Sequence, residues 1–191
     1  NTLAERFSLS RQTVRKAISV LVNEGFLYTR QGKGTFCRDR NAGRRESRNI
    51  GVVTTYISEY IFPRVIQGID KVLSENGYSI ILKNTGNSIE KEAACLDDLL
   101  GKDIGGLIIE PTKSAVFSDN FKYYRALDKH GIPYVFIHGS YQMLEDKPKV
   151  LLDDEAGEYL ATEHLIKLGH KNIVGIFKVD DIQGINRHKG Y

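Results

Sequence analysis

From Asn49 onward the sequence alternates short apolar runs with helix-patterned stretches, and a glycine stands at most of the joints. Gly77 precedes Ser79–Lys83, Gly105 precedes Leu107–Ile109, Gly131 precedes Tyr134–Ile137 and Gly169 precedes Ile173–Phe177. Glycine after a helix relieves the left-handed turn that a Cβ resists. The intervening patterns predict helices over Pro63–Asn76, Ile89–Gly101, Phe121–His130 and Asp154–Leu168, with Pro63 suited to a first turn whose N–H has no partner. In the second of these, Ala94, Leu96, Leu99 and Leu100 form an apolar stripe, while Glu90, Lys91 and Glu92 open the helix on a wet face. Unbroken runs such as GLIIE, YVFIH and NIVGIF fit strands covered by helices on both sides. Strand, helix, strand at this spacing implies right-handed crossovers and a parallel sheet, so the expected fold is a doubly wound α/β domain over residues 49–191. Such sheets bind ligands beyond the carboxyl ends of their strands.

The stretch before it has another character. Residues 38–48, RDRNAGRRESR, contain no apolar side chain but Ala42 and read as a linker. Residues 1–48 carry eleven Lys or Arg against four Asp or Glu, a balance of +7, whereas the remainder balances to −4. A basic head on an acidic body suits docking on a polyanion. Within residues 1–37, Val14, Ala17, Ile18 and Leu21 fall on one face of a helix that Ser10 is placed to cap. Leu3, Ala4 and Phe7 mark a shorter helix before it, with a corner at Ser8-Leu9, and Gly25 to Cys37 reads as a hairpin with the basic tip Gln31-Gly32-Lys33-Gly34. The outline is a helix-turn-helix with a wing. A major groove admits one helix, so Arg11 and Gln12 are placed to reach base edges, while Arg15, Lys16 and Lys33 suit phosphates.

In the α/β domain the residues just past the strands are the candidates for a site. Tyr60 and Phe62 follow the first strand and offer aromatic faces to a sugar ring, or pack in a core or dimer interface. Glu110 follows the third strand and His138 the fourth; Lys178, Asp180, Asp181, Gln183 and Arg187 follow the last apolar run. Arg187 alone also reads as a salt-bridge partner. Planar groups that donate or accept in pairs suit hydroxyls, each of which does both.

The run LAERFSLSRQTVRKAISVLVNEGFLYTRQGKGTF resembles the winged helix-turn-helix of the GntR family of bacterial regulators. That resemblance implies that Ser10, Arg11, Gln12, Thr13 and Arg15 contact DNA from a recognition helix and that Gln31 and Gly32 lie at the wing tip, with a further helix expected ahead of Asn1. The run from Asn49 to Ala115, NIGVVTTYISEYIFPRVIQGIDKVLSENGYSIILKNTGNSIEKEAACLDDLLGKDIGGLIIEPTKSA, resembles the lactose and galactose repressor family, whose effector domains share the fold of periplasmic sugar-binding proteins, and the stretches TTYISEYIFP, EPTKSA and IFKVDDIQG resemble one arabinose-regulating group in particular. The family resemblance implies that Glu110, His138, Gln183 and Arg187 line an effector cleft and that a second lobe follows Tyr191. The pairing of the two modules points to one group of Gram-positive regulators of arabinose use. It implies a cytoplasmic homodimer that represses from double-stranded operator DNA and is relieved by a small sugar, L-arabinose. The alternatives are a sugar-binding protein without a DNA role and a carbohydrate-processing enzyme.

Several classes are disfavoured by the residues themselves. No apolar run of about 18 residues suggests a membrane span, and the two cysteines, Cys37 and Cys95, do not outline a disulfide framework. GxxxxGK[ST], GxSxG, HExxH and CxxC motifs are all missing, so neither catalysis nor a cofactor or metal is expected. Asp153-Asp154 reads more simply as the acidic start of a helix than as a carboxylate pair for chemistry.

Overall fold

A computed structural model describes residues 2–23, 26–30, 32–37 and 47–191. The chain separates into two units, Asn1–Arg45 and Glu46–Tyr191.

The first unit contains α1 (Thr2–Arg6), α2 (Arg11–Asn23) and an antiparallel hairpin of β1 (Leu27–Arg30) and β2 (Gly34–Cys37), with Leu27 opposite Cys37. Ser10 Oγ accepts from Thr13 N at 3.1 Å, which supplies one of the orphan N–H groups of a helix start with a partner. The apolar face of α2 is less covered than its spacing suggests. Val14 and Ile18 are half-buried, and Ala17 and Leu21 are exposed. The reason is size: α1 has 5 residues and cannot cover the 13 of α2, which rests instead against β1. Gln31 and residues 38–46 of the expected linker lie outside the described residues. Ser47 and Arg48 belong with the second unit, where Ser47 Oγ donates to Asp103 O at 2.7 Å and Ser79 N donates to Arg48 O at 2.7 Å.

The second unit runs β3 (Asn49–Thr54), α3 (Phe62–Glu75), β4 (Ser79–Asn84), α4 (Ile89–Leu100), β5 (Gly106–Ile109), α5 (Phe121–His130), β6 (Tyr134–Ile137), β7 (Lys149–Val150), α6 (Asp154–Lys167) and α7 (Ile182–Gly190). Its five strands are parallel in the order β4-β3-β5-β6-β7, with Ile50 beside both Ile80 and Gly106. Side-chain caps start α4, α6 and α7: Ser88 accepts from Lys91 N, Asp153 from Ala156 N and Asp181 from Gly184 N. The core lies where α4 and α5 cover the sheet, with Leu96, Leu99, Tyr124 and Leu127 packed on Val53, Leu107, Ile109, Tyr134 and Phe136.

Three local expectations give way. Ile173–Phe177 is not a strand: Val174 is 85% exposed and Ile176 93%, and no described segment pairs with this stretch, so no ladder forms. Glu92 is fully buried rather than wet, and Ala94 is exposed. Residues 92, 96 and 99 repeat at helical spacing, so Glu92 extends the stripe of Leu96 and Leu99. Gly105 has no left-handed φ, unlike Gly77, Gly131 and Gly169. A Cβ on Gly105 would lie 2.4 Å from Ser47 O, so close backbone approach is what demands glycine there. Gly105→Ala is therefore expected to destabilise by roughly 1–3 kcal/mol, the usual range for overpacking. Gly101→Ala, whose Cβ meets nothing closer than 3.6 Å, should stay within about 0.5 kcal/mol. Urea denaturation of both variants checks this contrast.

Candidate functional site

The chain leaves β3 toward β4 through α3 but leaves β5 toward β6 through α5, so successive crossovers run in opposite directions from the middle of the sheet. Right-handed crossovers then put α3 on one face and α4 and α5 on the other, and a crevice opens where the direction reverses. The residues that leave β3, β5 and β6 meet there. Glu110 continues from β5 and is buried. Its Oε2 accepts from Thr55 N at 2.8 Å and Thr55 Oγ1 at 2.5 Å, just past β3, and its Oε1 lies 3.2 Å from His138 Nδ1, just past β6.

Around this carboxylate lies a hollow of about 300 Å³, at the lower end of the range for small-molecule sites, about 300–1,000 Å³. All six effector candidates, Tyr60, Phe62, Glu110, His138, Gln183 and Arg187, line it. Phe62 is 7% exposed and packs between Tyr56 and His138, ring centroids 5.8 and 6.0 Å away, so its wall position and its packing role coincide. Tyr60 is 88% exposed and belongs to no core. Arg187 does form an ion pair, through Nε and Nη2 to Asp154 Oδ1 at 2.8 Å each, and its partner carboxylate is buried. A guanidinium carries five N–H donors, so the pair orients Arg187 without exhausting it. Lys178 lies between Asp180 at 3.2 Å and Asp181 at 2.9 Å; burial works against its charge, but the two carboxylates raise its pKa above the ordinary value.

Strain concentrates in the same place. Among the described non-glycine residues with positive φ, Tyr60 (55°), Asn87 (57°), Lys113 (47°) and His138 (63°) all line the hollow, and only Ser8 lies elsewhere. Such backbone costs on the order of 1–3 kcal/mol per residue and persists where the surroundings over-determine it, most often at binding sites. Thr55, Tyr56, Asn87 and Ser114 also line the hollow and were not anticipated. A signal existed for two of them. Thr55 directly follows the first strand, and Asn87 sits in an NTGN turn after the second, where asparagine tolerates the left-handed region. Ser114 shows itself only through tertiary bonds: its Oγ accepts from Ile182 N at 3.0 Å and ties the β5–α5 connection to the start of α7.

In the first unit Ser10, Arg11, Gln12, Thr13, Arg15, Gly32 and Lys33 are exposed. Among the described residues Arg11, Arg15 and Lys33 form no ion pair. Gly32 and Gly34 take φ of 75° and 110° at the hairpin turn, and Tyr28 stacks on Phe36 across the strands at 5.7 Å. Among the described residues, no helix is long and apolar enough to cross a membrane.

Residues 47–190 match the periplasmic binding proteins and sugar-binding domains of the LacI family, and residues 1–37 match the GntR family of bacterial regulatory proteins. The chain is 48% identical to the arabinose metabolism transcriptional repressor of Halalkalibacterium halodurans, covering 100% of this chain and 52% of that protein. Against the protein of the same name from Geobacillus stearothermophilus it is 45% identical, over 99% of this chain and 52% of the relative. The crystal structure of the transcription regulator CcpA of Lactococcus lactis aligns with a TM-score of 0.64 at 28% identity, over 75% of this chain and 51% of that one. The chain thus spans about half the length of the curated relatives it matches. With three quarters of its residues in the first of these matches, the chain belongs to the family of periplasmic binding proteins and LacI-type sugar-binding domains, and carries a GntR-type segment ahead of it.

Proposed function

We propose that this chain reads an operator and senses a sugar within a cytoplasmic transcriptional repressor of L-arabinose utilisation. The observation that carries the reading is the convergence of Glu110, His138, Gln183, Arg187 and two aromatic side chains on one hollow at the sheet's switch point. The names of the two relatives supply the sugar.

The chemistry of the hollow suits a small polyol. With His138 Nδ1 engaged by Glu110, Nε2 is the ring atom left for a hydroxyl, while the Arg187 fork and the Gln183 amide offer donors and an acceptor. Tyr60 and Phe62 supply apolar faces for the ring of the sugar. The exposed Arg11 and Gln12 serve base edges from the N-terminal end of α2, with Ser10, Thr13, Arg15, Gln31, Gly32 and Lys33 on the backbone. A homodimer presents two such units to a two-fold operator. Sugar relieves repression only by binding the non-operator state more tightly, a coupling of about 1–3 kcal/mol.

Two measurements on the intact protein test the two assignments. In calorimetric titration with L-arabinose, Arg187→Ala should weaken binding at least tenfold, about 1.4 kcal/mol, and leave operator binding in place but unresponsive to the sugar. In gel shifts across a salt series, Arg11→Ala should cost about 1–3 kcal/mol and relax sequence preference, whereas Lys33→Ala should weaken all sequences alike and reduce the salt slope by about one. Equal damage to both activities by Arg187→Ala and Arg11→Ala would contradict the division of labour.

A further inference from the structure

Glu92 is a carboxylate with 0% exposure in the core beneath the hollow, and among the described residues it has no cationic partner. It is held by neutral donors. Its Oε2 accepts from Thr112 N at 2.8 Å and from the Tyr141 hydroxyl at 2.7 Å; its Oε1 accepts from the Tyr124 hydroxyl at 2.9 Å and lies 3.5 Å from Asn120 Nδ2. Replacing buried ionic groups by well-packed apolar ones is often neutral or stabilising, so stability alone gives no reason for a carboxylate at this place. Its partners give one. Thr112 and Tyr141 sit on the two segments that leave β5 and β6, two residues after Glu110 and three after His138.

We propose that Glu92 is a positioning residue of the effector site, fixing from behind the segments 110–114 and 138–141 that carry Glu110, Lys113, Ser114 and His138. The inference rests on the reading of the hollow as the sugar site. The two segments are tied to each other through the same group: the Tyr141 hydroxyl lies 3.1 Å from Thr112 N and 2.9 Å from Thr112 O, and Thr112 Oγ1 donates to Thr85 Oγ1 at 3.0 Å. Next to these anchors stand Lys113 and His138 with left-handed backbone, which a loose connection would not maintain. Burial, reinforced by the Glu92 charge, raises the pKa of both tyrosines, so they remain protonated donors. A network of this kind is strong only when every member is satisfied. Glutamine keeps the shape of Glu92 but turns one acceptor into a donor, which on either side faces one tyrosine hydroxyl and one N–H that donate to the carboxylate.

The test uses the intact protein, titrated with L-arabinose well below its unfolding temperature, so that all of it is folded. Glu92→Gln should weaken the sugar at least fivefold, and Tyr141→Phe, which keeps the ring and removes the hydroxyl, should weaken it in the same direction. Leu127→Ala serves as the stability control, being fully buried in the same core and outside the network. It should lower the unfolding midpoint and retain the wild-type affinity. A Glu92→Gln affinity within twofold of wild type overturns the proposal, as does an equal loss in Leu127→Ala. Should Glu92→Gln fail to fold, Tyr141→Phe decides by the same criterion. If the wild-type protein itself takes up no sugar, the reading of the hollow fails and this inference fails with it, a result distinct from an unchanged variant.

Discussion

One buried carboxylate joins the ends of three neighbouring strands. Glu110 receives an N–H and a hydroxyl from Thr55 beyond β3 and faces the His138 ring beyond β6, so the connections that diverge from the sheet are tied together before they separate. Without such a tie, the reversal of crossover direction would leave only a gap between loops. With it, the gap has a floor of known chemistry, and everything that lines the hollow is placed relative to that floor.

The strain around the floor is understandable in these terms. Left-handed backbone at Tyr60, Asn87, Lys113 and His138 is unfavourable in isolation, and it aims loops where relaxed turns would not take them. The compensating interactions run from the lining into the surrounding fold. Asp154 orients Arg187, Ser114 pins the start of α7, and Glu92 holds the two strand exits from the core side. The lining of the hollow is therefore a thin layer of side chains on a thicker layer of hydrogen bonds, which is how precise placement is maintained on loops.

Much of this was legible in the sequence, for identifiable reasons. Helix and strand periods, the Pro63 start and the left-handed Gly77, Gly131 and Gly169 are local properties, and they place the parallel sheet and hence the strand ends where Glu110 and His138 stand. What was missed depends on partners distant in the chain. Ile173–Phe177 has strand composition, but a strand exists only beside another. Glu92 looks wet by its neighbours Glu90 and Lys91, yet it follows the register of Leu96 and Leu99 and finds its donors 20 to 49 residues away. Gly105 looked like a helix stop and is instead a contact with Ser47, 58 residues earlier in the chain. Ser114 became recognisable only through its bond to Ile182, 68 residues further along the chain.

The most direct measurement is a crystal structure of the intact protein grown with saturating L-arabinose. The account predicts one sugar in the hollow, with hydroxyls within hydrogen-bond distance of His138 and Arg187 and the Glu110–Thr55 bonds preserved. A sugar bound elsewhere, or a hollow left without sugar while calorimetry records tight binding, would contradict it.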